Sequence, residues 1–277
     1  MAHYRFYITG ILLLFSCTTY SQKLIQPLNP KIKESSGLVV LKNGNFLTIN
    51  DGGNKSEIFV LNKKGVLIHT CEIEDEKNVD WEDLCLDNKG NVYIADIGNN
   101  DNKRENLKIL KVELEKVLSE SKIKSKKFKF DYPNQKDFPP NKSELYFDAE
   151  SLVFYNDKLW IFTKNRTVPF NGVSLCYSID FEKEKIKQET SLFFPNTNWM
   201  EESITAATIF EEELFVLTYS KIYVYTISNE KLIWKRTVPL QFYNQWEAIA
   251  VSQNGIYLTH ESNPISKASL YTLKYEK

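Results

Sequence analysis

The stretch DWEDLCLDNKGNVYIADIGNN, residues 80–100, decides the fold. Its second half reads as the return strand of a hairpin, an apolar and aromatic run after a Lys-Gly-Asn turn. Its first half crowds Asp80, Glu82 and Asp83 around Trp81, directly before the apolar run Leu84-Cys85-Leu86. Carboxylates leading into a strand that looks buried require a reason, and the chain repeats the pattern four more times. It does so at ESSGLVVLKNGNFLTINDGGN (34–54), DAESLVFYNDKLWIFTKN (148–165), ESITAATIFEEELFVLTYS (202–220) and QWEAIAVSQNGIYLTHES (245–262). Each copy has a polar, often acidic lead-in, a short apolar strand, a tight turn and an apolar aromatic strand.

Taking Leu38, Leu84, Leu152, Ala207 and Ile249 as equivalent, the intervals are 46, 68, 55 and 42 residues. A period of this size carried by β-hairpins predicts a β-propeller. Each hairpin supplies the two inner strands of a blade, and two outer strands follow it. These are expected at 57–62 and 66–73, 107–114 and 126–132, 174–181 and 190–194, and 221–228 and 232–240. The fifth unit offers three strands (248–251, 256–260 and 269–275), and residues 23–28 supply the fourth, closing the ring without an open edge. The expected fold is therefore all-β, one propeller over residues 22–277 with five four-stranded blades. Six blades is the alternative, the extra one hidden between the Lys-rich loop at 119–127 and the Pro-containing stretch at 133–145. Residues 111–122 have helical spacing for a turn or two.

Composition fits a chain with a large core. Of 277 residues, 42% are hydrophobic, and with nine Pro and ten Gly the chain does not read as disordered. The formal net charge of −1 gives no reason to expect nucleic acid or an anionic membrane surface as partner. The first 21 residues read as a leader: Arg5, an apolar run over Ile8–Phe15, and small residues at 19–21 before Gln22. That run is too short for a membrane span, which needs about 20 apolar residues. Export is expected, either as a secreted or periplasmic protein or as a lipoprotein anchored through Cys17. Cys71, Cys85 and Cys176 all lie in apolar runs and read as buried thiols.

In a propeller the innermost strands line a central channel. Overlaying the lead-ins puts Glu82, Glu150 and Glu247 at one position, with Ser36 and Thr205 in the other two units. At the end of the second strand the equivalent residues are Asn50, Asp96, Thr163, Thr218 and His260, followed by Asp51, Lys164 and Glu261. Carboxylates that converge repel, and burying one alone is costly. Three resolutions are open: a cation neutralises them, basic residues such as Arg104 and Lys164 pair with them, or some stay protonated. The plainer alternative is that they accept backbone N–H groups at turns. Oxygen donors suit Ca²⁺ or Mg²⁺, and His69 and His260, the two histidines beyond the leader, rule out a His-rich zinc site. Glu82, Asp96, Glu150 and Glu247 are the metal candidates. Asn50, Asp51, Asn99, Asn100, Arg104, Lys164, His260 and Glu261 are the ligand-binding candidates. Gly98 is expected to allow a tight turn in DIGNN, and NDGGN at 50–54 repeats that chemistry. Trp81 and Trp246 read as packing between blades. No G-x-S-x-G or phosphate-binding glycine loop occurs, and no catalytic residue is assigned.

Glu34-Ser-Ser-Gly-Leu38, Asn50-Asp-Gly-Gly-Asn54, Asp80-Trp-Glu-Asp-Leu84, Asp96-Ile-Gly-Asn-Asn100 with Arg104, and Asp148-Ala-Glu-Ser-Leu152 together resemble secreted bacterial propellers of the SdiA-regulated and phytase-like esterase groups. For the phytase-like groups the resemblance implies an acidic channel holding Ca²⁺ and phosphate-ester substrates. The chain offers only Lys164, Arg104 and Arg166 near the mouth to meet a polyanion. Arabinanase-type propellers need an Asp where this chain has Ser36. The expected function is therefore binding of a small-molecule, glycan or protein ligand at the channel mouth by a monomer. A Ca²⁺-dependent phosphoesterase is the alternative.

Overall fold

A computed structural model describes residues 21–194, 198–229 and 231–275. The leader expected over residues 1–21, with Cys17, lies outside them except for Ser21. The chain forms five sheets arranged as a five-bladed propeller. Strand β1 (Lys23–Pro27) comes first. Blade 1 is β2 (Ser35–Val40), β3 (Phe46–Asn50), β4 (Glu57–Leu61) and β5 (Leu67–Ile73). Blade 2 is β6 (Trp81–Leu86), β7 (Asn91–Asp96), β8 (Lys108–Glu113) and, after helix α1 (Leu114–Ser119) and strand β9 (Lys122–Ile123), β10 (Lys126–Lys129). Blade 3 is β11 (Asp148–Tyr155), β12 (Lys158–Lys164), β13 (Val173–Asp180) and β14 (Lys185–Phe193). Helix α2 (Trp199–Glu202) leads to blade 4: β15 (Ile204–Phe210), β16 (Glu213–Thr218), β17 (Lys221–Ser228) and β18 (Lys231–Pro239). Blade 5 is β19 (Trp246–Ser252), β20 (Gly255–His260) and β21 (Ser269–Leu273), and β1 pairs antiparallel with β21 to complete it.

The six-bladed alternative is excluded, because the stretch at 133–145 carries only a 3-10 turn at Lys142–Glu144. The Lys-rich loop adds no blade either. Its β9 pairs in parallel with β5 as a fifth strand on blade 1. The innermost strands touch in the order β2, β6, β11, β15, β19 and back to β2, which closes the ring.

Five apolar clusters hold it together, one between each pair of neighbouring blades. Trp81 of blade 2 is buried against Ile49 and Ile58 of blade 1, in the cluster those blades share. Trp246 of blade 5 is buried in the cluster shared with blade 4. The repeated Trp is thus a wedge between blades. Cys71, Cys85 and Cys176 are buried free thiols. No helix among the described residues is long and apolar enough to cross a membrane.

The register explains the acidic lead-ins. Leu38, Leu84, Leu152, Ala207 and Ile249 face Thr48, Ile94, Ile161, Val216 and Leu258, so the five equivalences hold. In every blade the ladder then skips one residue at the start of the innermost strand: Glu82, Glu150, Thr205 and Glu247 at the expected position, but Gly37 in blade 1, where Ser36, expected there, pairs with Ile49 instead. A β-bulge re-aims a side chain and interrupts pairing. Three of the five bulges carry a glutamate.

Candidate functional site

A cavity of about 150 Å³ opens among the strand ends that carry these bulges. Its walls are Ser36, Asp51, Glu82, Asn100, Glu150, Lys164, Arg166, Tyr219, Gln245, Glu247 and Glu261. Two positions of the repeat supply most of them. The bulge supplies Glu82, Glu150 and Glu247. The residue after Asn50, Thr163, Thr218 and His260 supplies Asp51, Lys164, Tyr219 and Glu261, and only blade 2, with buried Ile97 after Asp96, is left out. Five acids face two cations.

The two cations are already engaged. Lys164 Nζ lies 2.9 Å from Glu150 Oε1 and donates to the Tyr219 hydroxyl at 3.0 Å. Arg166 Nε donates to Asp148 Oδ2 at 2.7 Å, while its Nη2 lies 3.6 Å from Glu150 and also donates to Asn100. Glu82 and Glu247 are different. They are only 5% and 8% exposed, line the cavity, and have no hydrogen-bond or ion-pair partner for their carboxyls among the described residues.

Burial pushes both carboxyls well above the ordinary range. Nearby Glu150 adds to this at Glu82, while Lys164 opposes it at Glu247. The same desolvation raises Asp51 and Asp80 to about 6 and Glu261 to about 7. Glu150 also rises through burial, opposed first by Lys164.

The glycines of the two repeated motifs make this crowding sterically workable. A Cβ on Gly98 would overlap Glu82 Oε1 and lie 2.5 Å from the Asp80 carboxyl, and a Cβ on Gly52 would overlap Asp80 Oδ1. Neither glycine has a left-handed φ. Gly98 therefore gives room to carboxylates rather than turning the backbone.

The other residues singled out by sequence stand behind the walls. Asp96 is fully buried and pairs with Arg104 at 2.7 Å and Lys108 at 3.4 Å. Arg104 also donates to the Gly98 carbonyl at 2.6 Å. Asn50 accepts from Glu34 N and donates to Lys31 O. Asn99 donates through its side chain to Phe147 O and accepts from Arg104 N. His260 is buried edge-on against Trp246, with Nδ1 2.7 Å from Glu261 O. Asp83 accepts from Leu84 N and, across the blade boundary, from Leu152 N, both at 2.8 Å. The turn-acceptor alternative thus describes Asp83, Asn50 and Asn99, whereas Asp51, Glu82, Glu247 and Glu261 face the cavity.

Sequence reasoning passed over Tyr219 and Gln245. The signal for Tyr219 was there, since it follows Thr218 as Asp51, Lys164 and Glu261 follow Asn50, Thr163 and His260. Elsewhere, a cavity of about 150 Å³ lies at the turn ends of blades 2 and 3, lined by Tyr93, Phe154, Phe181 and Lys111. Lys111 sits over the Tyr93 and Phe181 rings, and no candidate residue reaches this cavity.

All donors at the mouth are oxygens. The carboxyl oxygens of Asp51, Asp80 and Glu82 lie within 4.8 Å of one another, and so do those of Glu82, Asp148 and Glu150. Two ligands of one Ca²⁺, each at 2.3–2.6 Å, stand at most about 5 Å apart, so both groups fit that ion.

No protein-family model and no curated protein matches the chain. Among solved structures it is similar to the PQQ-bound aldose sugar dehydrogenase of Streptomyces coelicolor, with TM-score 0.54 and 9% identity over 92% of this chain and 98% of that one. It is also similar to Myxococcus xanthus glutaminyl cyclase, with TM-score 0.54 and 10% identity over 94% and 99% of the two chains. At these identities the likeness shows the β-propeller fold alone.

Proposed function

We propose that this chain is an extracytoplasmic binding propeller whose mouth holds a Ca²⁺ ion, as part of its ligand site, through Asp51, Asp80 and Glu82. One observation carries the reading: Glu82 is buried, aimed into the cavity and unpartnered, with two further carboxyls close enough to share an ion. A fixed cation compensates such a cluster: Arg104 reaches Asp80 at 4.0 Å but makes no pair with Glu82, for which protonation is the other resolution. When bound, Ca²⁺ supplies positive charge and open coordination positions toward the channel. Around it, Lys164 and Arg166 hold Glu150 and Asp148 in place, and Gly98 and Gly52 keep space for the acids. The leader read from the sequence of residues 1–21 supports export.

Calorimetric titration of metal-stripped protein with CaCl₂ tests this. Saturable binding near one ion per chain, weakened at least tenfold in Glu82→Gln, is expected. Absence of heat together with absence of competition against a fluorescent Ca²⁺ indicator refutes it.

The second reading is a Ca²⁺-dependent phosphoesterase. Its supporting observation is that Glu261, raised to about 7, lines the same cavity as Lys164 and Arg166, which suits an acid–base group working near neutrality. Both cations already pair with acids, which favours binding over turnover of an anionic ester. A screen of chromogenic phosphate esters with and without Ca²⁺ decides, and turnover lost in Glu150→Gln would establish the enzyme.

A further inference from the structure

The mouth is not uniform around the ring. The three acids that fit one metal ion stand on the blade 1 and blade 2 side. The opposite side is made by blade 4, where neither repeat position is an acid: Thr205 takes the bulge and Tyr219 follows the second strand. The loop into blade 5 adds Tyr243, 53% exposed, whose ring centroid is 5.9 Å from that of Tyr219. Between that side and blade 1, blade 5 lines the cavity with Gln245, Glu247 and Glu261, and Glu261 N donates to Gln245 O. Glu247 is the second buried carboxyl aimed into the cavity without a partner.

This half does not look like a metal centre. Among the described residues, no group of three acids with oxygens close enough for one ion includes Glu247 or Glu261. An ammonium group needs less. Its three N–H donors are satisfied by two carboxylates and an amide oxygen; Lys164 Nζ already lies 5.2 Å from the centre of the Tyr219 ring, and the exposed aromatic face is that of Tyr243. A space of about 150 Å³ holds an ammonium with a short alkyl chain. The aromatic end of a longer amine extends past the rim, where the exposed aromatic ring beside this wall is Tyr243.

Extending the cation-binding reading of the mouth, we propose that it also takes a small organic amine. The ammonium sits against Glu247 and Glu261, and an aromatic end of the carbon skeleton lies against Tyr243. The Ca²⁺ group and the amine subsite share the cavity but use different carboxyls.

The test uses the whole chain at about pH 8, below the ordinary alkylammonium pKa of ~10. Phenethylamine, butylamine and the neutral isostere 2-phenylethanol are titrated by NMR, in the presence of Ca²⁺ and in its absence. Phenethylamine is expected to bind at least tenfold more tightly than 2-phenylethanol, and Glu247→Gln to remove most of that preference. Tyr243→Ala should weaken phenethylamine threefold or more while leaving butylamine unchanged. Equal binding of amine and alcohol, or unchanged phenethylamine affinity in Tyr243→Ala, overturns the proposal. Because Tyr243 is exposed, that variant decides the matter even if Glu247→Gln does not fold. A protein that responds to Ca²⁺ but fails these amine tests loses this inference alone. One that responds to neither loses the cation reading as well.

Discussion

Gly98 lies against Glu82 so closely that a single added methyl would overlap the glutamate's Oε1. The backbone there has no left-handed φ, so alanine is tolerated by the chain itself and any cost comes from displaced carboxyls. Gly98→Ala is expected to lower stability by about 1–3 kcal/mol through overpacking. It should also reduce Ca²⁺ affinity at least tenfold, read by calorimetry. A variant that loses stability but binds Ca²⁺ normally would show that the position of Glu82 is irrelevant to the ion.

Asp96 and Arg104 make the opposite prediction. Asp96 is fully buried, with Arg104 at 2.7 Å and Lys108 further off at 3.4 Å. Removing Arg104 as Arg104→Met leaves the charge with one distant partner. Breaking a buried pair from one side typically costs 3–5 kcal/mol, and the remaining lysine places this case near about 3 kcal/mol. Denaturant unfolding measures it. Because Arg104 Nη1 also lies 4.0 Å from Asp80, a carboxyl of the proposed ion site, its loss removes a competing cation, and the increase in stability on adding Ca²⁺ should grow.

The acids at the mouth set a pH dependence of definite sign. Asp51 rises from 3.8 to about 6 and Glu261 from 4.5 to about 7, each chiefly because burial disfavours the charge. Between the unfolded and folded values the native state holds more protons than the unfolded one, so stability falls as pH rises. Metal-free protein should therefore lose stability from about pH 4 to about pH 7, as a series of melts would record. Ca²⁺ should flatten that slope, because the ion takes the place of the protons. Binding at pH 6 should release protons, seen as a dependence of calorimetric heat on the ionisation enthalpy of the buffer.

Ring closure depends on β1. Its ladder with β21 runs from Lys23 opposite Thr272 to Pro27 opposite Ser269, and Leu28 N continues it by donating to Ala268 O. A chain lacking residues 23–27 exposes an edge in blade 5. Its melting temperature should drop by roughly 5–10 °C, on a scale of 2–4 °C per kcal/mol for a domain of this size. Melting at the full-length temperature would mean that closure rests on the side-chain clusters alone.

The blade count was legible because hairpins repeat with apolar spacing, and period-two strands leave a pattern any register preserves. The bulge was not legible, although it is what turns Glu82, Glu150 and Glu247 inward. A bulge is a property of pairing between strands, and sequence lists only one strand at a time. Strand β9 was invisible for a similar reason, since two residues in a Lys-rich loop carry no periodicity. Within the site, Asp51, Lys164 and Glu261 were found from their shared place in the repeat. Tyr219 occupies that place too but carries no formal charge, so nothing in its side chain marks it as part of the acidic mouth. Asn50 and Asn99 illustrate the converse: an amide beside a channel serves the backbone as readily as a ligand, and here both serve the backbone.

The most direct measurement is a thermal melt of metal-stripped protein titrated with Ca²⁺ and with Mg²⁺. An ion at a hundredfold excess over its Kd stabilises the folded state by about 2.7 kcal/mol, which at 2–4 °C per kcal/mol raises the melting temperature by roughly 5–11 °C. Ca²⁺ should act more strongly than Mg²⁺, because carboxylates from separate blades suit the larger and less geometrically demanding ion. The shift should vanish in Asp51→Asn/Glu82→Gln. No Ca²⁺-dependent shift in the wild type, or the same shift in that double variant, would contradict a metal site at the mouth.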